Sequence, residues 1–229
     1  MRGKLIVVEG TDCSGKETQT KKLVEKLTND GRTVKRYSFP FYESPTGKII
    51  GGPYLGKSYI SDGWFSEGAT NVDYKVASLY YAADRLYNIN TINQDLENGI
   101  DVILDRYVYS NMAHQGAKIE NKQKRLQLYS WLEELEFNFL ELPIPDIKIF
   151  LHMPTEYSKI LKQNRIEAPD EHEQDENHLK SAERAYLEIA NYYNFKTIEC
   201  VNDNKIRNID NISDELYNLV NSYISYKIK

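Results

Sequence analysis

The residues best suited to chemistry are Gly10-Thr11-Asp12-Cys13-Ser14-Gly15-Lys16, a G-x-x-x-x-G-K run between an apolar strand-like segment and a segment of helical spacing. Glycines at that spacing let successive backbone N–H groups curl around phosphate oxygens. A helix N-terminus adds its dipole, and the lysine adds a point charge. The implied ligand is a nucleotide polyphosphate. Such loops normally continue with a magnesium-binding Ser or Thr, but here Glu17 follows Lys16 and Thr18 comes only next. Metal contact then falls to Glu17, to Thr18 or to water, or the loop binds nucleotide without turning it over.

A second element is Asp101-Val102-Ile103-Leu104-Asp105-Arg106-Tyr107, an apolar strand pattern ending in a carboxylate and a guanidinium. In an open α/β sheet the C-terminal strand edge is where ligands bind. There Asp105 can hold Mg²⁺ through water, and Arg106 can clamp a phosphate with its fork of donors. Two phosphate elements point to a kinase or another nucleotide-hydrolysing enzyme.

Positioning these groups takes a scaffold, and the rest of the chain reads as one. Strands are expected at 4–8, 33–39, 100–104, 146–151 and 196–201, and helices at 16–29, 73–97, 121–138, 155–163, 178–193 and 213–226. Strands alternating with helices predict an α/β fold, a five-stranded parallel sheet with helices on both faces. Residues 47–68 hold six of the twelve glycines and read as a long shaped loop. The 229 residues fit one domain spanning 1–229. A net charge of −5 offers no general electrostatic case for nucleic acid or an anionic membrane. No apolar run approaches the length of a membrane span. Two cysteines are too few for a disulfide framework, so a reducing, cytoplasmic setting is the default expectation.

The sequence resembles the thymidylate kinase family of P-loop nucleoside monophosphate kinases. The likeness rests on Glu9-Gly10-Thr11-Asp12-Cys13-Ser14-Gly15-Lys16, on Phe39-Pro40, on Ala82-Ala83-Asp84-Arg85, and on the run from Asp105-Arg106-Tyr107 through Ser110 and Gln115 to Lys118. The resemblance implies transfer of the γ-phosphate of ATP to dTMP, with Mg²⁺, in deoxynucleotide supply. It also implies a homodimer built through the helices at 73–97 and 121–138. Tyr81 would stack on thymine and Arg85 would read the base. Arg106 would hold the acceptor phosphate, Ser110 and Gln115 would reach the base edge, and Asp12 would meet the sugar 3′-hydroxyl. Phe39 and Pro40 flank this site. Phe41-Tyr42-Glu43 stands where many members carry an arginine, so Tyr42 or another donor must serve the acceptor phosphate.

Phosphoryl transfer needs cationic charge beyond Lys16. Some members place an arginine in the phosphate loop, where this chain has Cys13; others supply it from a lid. The lid is expected at about 160–180, with Arg165 as its catalytic cation and Arg184 as second candidate. Residues 167–176 hold six acidic residues and no Lys or Arg, which suits a solvated segment. On the adenine side Arg207 is placed to stack on the purine. Two other readings stay open: a kinase for another nucleoside monophosphate or deoxynucleoside, and a non-catalytic nucleotide-binding module.

Overall fold

The computed structural model describes residues 2–162, 172 and 175–225. Five parallel strands form the central sheet: β1 (Leu5–Gly10), β2 (Val34–Ser38), β3 (Asp101–Asp105), β4 (Ile147–His152) and β5 (Lys196–Glu199), in the order β2-β3-β1-β4-β5. β1 reads Leu-Ile-Val-Val because both its faces are buried. Leu5 and Val7 enter one core with Val102, Leu104 and Phe150, while Ile6 and Val8 enter the other with Ile103, Ile149 and Leu151. The period of two thus sends alternate residues of each strand to opposite layers.

On the first face lie α3 (Tyr74–Glu97), α4 (Val108–Gly116), α5 (Lys122–Glu133) and α7 (Glu176–Tyr192); on the second lie α1 (Lys16–Asn29) and α8 (Ile209–Ser225). α6 (Thr155–Lys162) follows β4. The expected helices appear, three of them with side-chain caps: Asp73 accepts from the N–H groups of Lys75 and Val76, Asn121 from Lys124, and Asp175 from Asn177 and His178. The helix expected at 121–138 is α5 continued as π-helix over Glu134–Phe139.

Two elements depart from expectation. α4 is a helix over a stretch where the sequence pattern predicts no element. The glycine-rich stretch is more than a loop: α2 (Pro45–Ile49) and a π-helical segment, Ile50–Tyr54, open it, and it encloses a small core of its own. Ile50, Tyr54, Leu55, Ala69 and Val72 pack there with Ala77 of α3. The glycines permit this close packing: a Cβ on Gly47 would lie 1.9 Å from the Phe41 carbonyl oxygen, and one on Gly52 2.2 Å from Ser61 Oγ.

Strand register sets the site. Ser38 and Val8 both pair with Asp105, so β2, β3 and β1 bring Ser38, Asp105 and the start of the glycine loop to one sheet edge.

Candidate functional site

A cavity of about 740 Å³ opens at that edge. Its wall includes Asp12, Cys13, Ser14, Gly15, Lys16, Glu17 and Thr18 from the glycine loop and the first turn of α1. Cys13 and Gly15 take left-handed backbone conformations, φ 59° and 77°, which bend the loop around its own N–H groups. Gly10 is required for close approach, since a Cβ there would meet Ser14 Oγ at 2.5 Å and the Leu151 carbonyl at 2.8 Å. Gly10 and Thr11 support the loop from behind, and Thr11 Oγ1 donates to the Met153 carbonyl at 2.6 Å. α1 begins without a side-chain cap. Its first turn therefore presents dipole and donors to an anion.

Lys16 is nearly buried and donates to the carbonyls of Gly10 (3.0 Å) and Thr11 (2.8 Å). Burial, then the neighbouring Arg106 charge, lowers its pKa to about 8 against the pull of Asp12, Asp105 and Glu9. Glu17 is turned outward to Lys21 at 2.7 Å with its side chain 69% exposed, so the acid that replaces the usual hydroxyl forms a surface pair on α1.

Arg106 stands opposite, its φ of 68° aiming the residue back from the end of β3. Its Nη2 donates to Asp12 Oδ1 at 2.5 Å and its Nη1 to Tyr186 Oη at 2.9 Å and Ser110 Oγ at 3.3 Å. Burial alone would raise the Asp12 pKa, but Arg106, His114 and Lys16 outweigh it and hold the carboxyl well below the usual range. Behind them Glu9 is buried with a raised pKa. It accepts from the N–H groups of Tyr107 (2.8 Å) and Ser110 (3.1 Å) and from Ser110 Oγ. Glu9 thereby caps α4 from another element and locks Ser110 in place.

Asp105 is buried off the cavity wall, and Arg36 Nη2 donates to it at 2.5 Å. Arg36 itself lines the wall. This is a donor beyond Tyr42 for the stretch that lacks an arginine after Phe39-Pro40; nothing in the strand pattern of β2 had marked it. Tyr42, Phe39, Pro40 and Tyr81 also line the cavity, Tyr81 packed edge-on against Tyr54 with ring centres 5.9 Å apart.

Two acceptor candidates sit differently from expectation. Arg85 reaches the wall but is 2% exposed, its guanidinium bidentate on the fully buried Glu136. That pairing uses Nε and one hydrogen of Nη2, which leaves the Nη1 hydrogens for a ligand at the wall. Gln115 does not reach the cavity: it is fully buried on the inner side of α4, and its amide has no partner among the described residues. Asn111, one turn earlier, lines the wall instead, with Oδ1 buried and unpartnered and Nδ2 donating to the Ser78 carbonyl at 3.2 Å.

The far wall joins two unforeseen contributions. Leu55, Lys57 and Tyr59 project from the glycine-rich segment, Lys57 Nζ lying over the rings of Tyr42 (5.4 Å) and Tyr59 (5.9 Å). Met153, Leu161, Ile206, Ile209 and Ile212 make an apolar end beside Arg207, whose Nη1 donates to the Glu199 carbonyl at 2.6 Å. Of the lid candidates, Arg165 lies outside the described residues, as does most of 160–180. Arg184 is exposed on α7 and off the wall, because that helix buries its 182, 185, 186 and 189 face.

The wall carries six basic side chains, Lys16, Arg36, Lys57, Arg85, Arg106 and Arg207, against two acidic ones, Asp12 and Glu17. In a chain of net charge −5 this concentrates positive potential in one cleft, as a polyanionic ligand demands. A flat aromatic and apolar lining supplies the rest of a nucleotide's needs.

Comparison with known proteins agrees with this chemistry. The family model described as thymidylate kinase matches residues 8–211. The thymidylate kinase of Mycobacterium tuberculosis is 33% identical over 193 residues, 81% of this chain and 85% of that protein. The human thymidylate kinase is 32% identical over 152 residues, 66% of this chain and 62% of that protein. A protein of Invertebrate iridescent virus 6 is 35% identical over 150 residues, 66% of this chain and 60% of that protein. The match thus spans less than two thirds of the human and viral relatives. Among solved structures, the thymidylate kinase of Candida albicans, described as having broad substrate specificity and a novel structural element, superposes with a TM-score of 0.75 at 25% identity. The match covers 99% of this chain and 94% of that one.

Proposed function

This chain belongs to the thymidylate kinase family, and from that premise we propose that it transfers the γ-phosphoryl group of ATP to dTMP, giving dTDP for dTTP synthesis. The observation that carries the reading is the cleft whose wall the phosphate loop shares with Arg36, Arg106, Tyr81 and Asn111, which supports a donor and an acceptor bound side by side.

ATP phosphates would lie in the loop from Gly10 to Thr18, on the α1 N-terminus and Lys16, with the purine toward the apolar end at Ile206 and Arg207. The acceptor phosphate would meet Arg106 and Arg36. The thymine ring would lie against Phe39 and Tyr81, with Ser110 and Asn111 at its edge. Asn111 Oδ1 is a buried acceptor without a donor, the complement of an imide N–H. Asp12, kept ionised by Arg106, would meet the sugar hydroxyl and fix the arginine that orients the acceptor. Catalysis by this constellation is mainly positioning and charge stabilisation. The additional catalytic cation is assigned to Arg165.

Thr18 on the cavity wall, Glu17 once released from Lys21, and Asp105 behind Arg36 are hard oxygen donors of the kind magnesium takes alongside phosphates, and by donor chemistry they suit the ion. Asp105, through water, and Glu17 or Thr18 would hold it. Bound with the nucleotide, magnesium would neutralise charge on the phosphate oxygens.

No helix among the described residues is long and apolar enough to cross a membrane. A chain with only two cysteines, Cys200 a buried thiol, suits a reducing cytoplasm. Val76, Leu79, Ala83, Leu86 and Tyr87 form an exposed, largely apolar stripe along α3, which supports a homodimer packed through that helix.

The test is a coupled ADP-release assay with ATP, Mg²⁺ and a panel of nucleoside monophosphates and deoxynucleosides, with ATP alone as control. Turnover dominated by dTMP supports the reading. Turnover with another acceptor, or binding of ATP without ADP formation, overturns it.

A further inference from the structure

Three of the chain's four histidines converge at the rim of the cavity, on the side of α4 and α7: His114 on α4, His172, and His178 in the first turn of α7. Each offers one ring nitrogen, and these nitrogens lie within 4.8 Å of one another. The proposed phosphoryl transfer uses none of them, and they come from separate parts of the fold.

The spacing is that of metal ligands. His114 Nδ1 and His178 Nε2 are 3.4 Å apart. Two nitrogens bound to a tetrahedral zinc at about 2.0–2.1 Å are held about 3.3 Å apart. The His172 ring centre lies 5.5 Å from that of His114, with the planes 13° apart, and 4.6 Å from that of His178, with the planes 36° apart, so the three rings lie side by side. His172 Nε2 is 3.1 Å from Tyr54 Oη, a polar partner of the kind that orients a metal-bound imidazole through its other nitrogen. Burial keeps all three rings neutral at pH 7, the form a metal takes; Asp12 adds negative charge nearby, and Arg106, Lys16 and Lys118 add positive charge.

We propose that His114, His172 and His178 form a zinc site with three protein nitrogens and a fourth position open to water, tying α4 to α7 at the mouth of the cavity. Imidazole nitrogen suits zinc among the common divalent ions, whereas magnesium prefers oxygen. The site borders the acceptor arginine, His114 Nε2 lying 3.4 Å from Arg106 Nη1, but no proposed step of phosphoryl transfer passes through the three rings.

The experiment uses the full chain without an affinity tag, stripped with chelator and dialysed, and titrated with Co²⁺ and then Zn²⁺ in the absence of nucleotide. The expected result is one equivalent of cobalt giving the visible d–d bands of a tetrahedral site, displaced by one equivalent of zinc. His178→Asn should weaken zinc binding by more than the roughly 100-fold that loss of an outer-shell partner costs. His152→Asn, at a ring held between Glu183 and Glu199, should leave binding as in the wild type. An unmodified chain that shows no tetrahedral cobalt spectrum overturns the proposal even if a variant fails to fold. A His178→Asn chain that binds zinc like the wild type overturns it equally. Magnesium-supported turnover of the stripped enzyme is scored separately, so failure of the metal site and failure of the kinase reading are distinct results.

Discussion

Arg106 Nη2 lies 2.5 Å from Asp12 Oδ1, so the guanidinium at the end of β3 is held by a carboxylate of the phosphate loop before any acceptor arrives. The contact joins the phosphate loop to the end of β3 through one charge-assisted pair. Tyr186 and Ser110, themselves hydrogen-bonded at 2.8 Å, hold the other side of the same arginine.

Asp12→Asn should therefore act on the acceptor more than on ATP. A hydrogen bond to a charged group contributes about 1.5–3 kcal/mol, which corresponds to a fall of roughly 10- to 100-fold in kcat/KM for dTMP. The ATP dissociation constant should move only a few-fold. Steady-state kinetics with both substrates varied checks this, and an equal loss for both substrates would refute the positioning role.

Arg36 lines the cleft beside Phe39-Pro40, pinned by Asp105 at 2.5 Å and by Thr20 Oγ1 at 2.7 Å. Arg36→Ala is expected to raise KM for dTMP about 10- to 100-fold, as loss of one charged hydrogen-bond donor to a phosphate implies. Arg36→Lys should recover part of it. Unchanged KM in the alanine variant would assign Arg36 to structure alone.

Much of this site was legible in the chain itself, because the G-x-x-x-x-G-K spacing and the continuous apolar run of β1 leave few alternatives for strand, turn and helix. Less was legible where function depends on packing between distant segments. Arg36 sits in a strand whose polar and apolar residues give no special signal, and Lys57 reaches the cleft because the glycine-rich segment has a core of its own. α4 carries no helical signal because seven of its first eight residues, Val108 to Gln115, are buried, so no polar face marks a helical period. Arg85 read as a surface or base-reading residue because its partner, Glu136, lies 51 positions away. Gln115 belongs to a motif in which Asn111, one turn earlier, is the residue that lines the cavity.

Glu136→Gln should show what the Arg85 pairing does. Removing one partner of a fully buried pair leaves an uncompensated charge, which costs about 3–5 kcal/mol. For a chain of this size that corresponds to a drop of roughly 10 °C in Tm. Denaturant unfolding with an unchanged m-value checks it, and a loss below about 1 kcal/mol would show that Arg85 finds solvent or another acceptor.

Lys16 gives the pH dependence. Its pKa of about 8 in the folded chain lies below the ordinary lysine value, so the ammonium that meets phosphate is lost as pH rises through 8. ATP affinity should be near constant up to about pH 7.5 and fall toward tenfold per unit above pH 8, where binding must take up a proton. The sign reverses for stability: between about pH 8 and 10.5 the unfolded chain binds more protons at this residue than the folded one. The Lys16 contribution to stability thus rises with pH. Nucleotide titrations from pH 7.5 to 9.5 decide it, and an ATP affinity that stays flat across that window would remove Lys16 titration from the site.

The last expectation concerns α3, where Val76, Leu79, Leu86 and Tyr87 are 43%, 50%, 43% and 59% exposed at positions that recur on one helical face. Water contact over that much aligned apolar surface is unfavourable for a lone protomer, and a second copy of the same helix covers it by two-fold symmetry. Sedimentation at micromolar concentration should report twice the 26.7 kDa chain mass. Leu79→Glu places a charge in the middle of the stripe on both protomers, so like charges would meet across the axis and desolvation would oppose pairing. That variant should sediment as a single chain while keeping the wild-type unfolding midpoint within a few degrees, because Leu79 lies outside the cores of the protomer. A wild-type chain that sediments at 26.7 kDa, or a Leu79→Glu chain that still pairs, would move the interface away from α3.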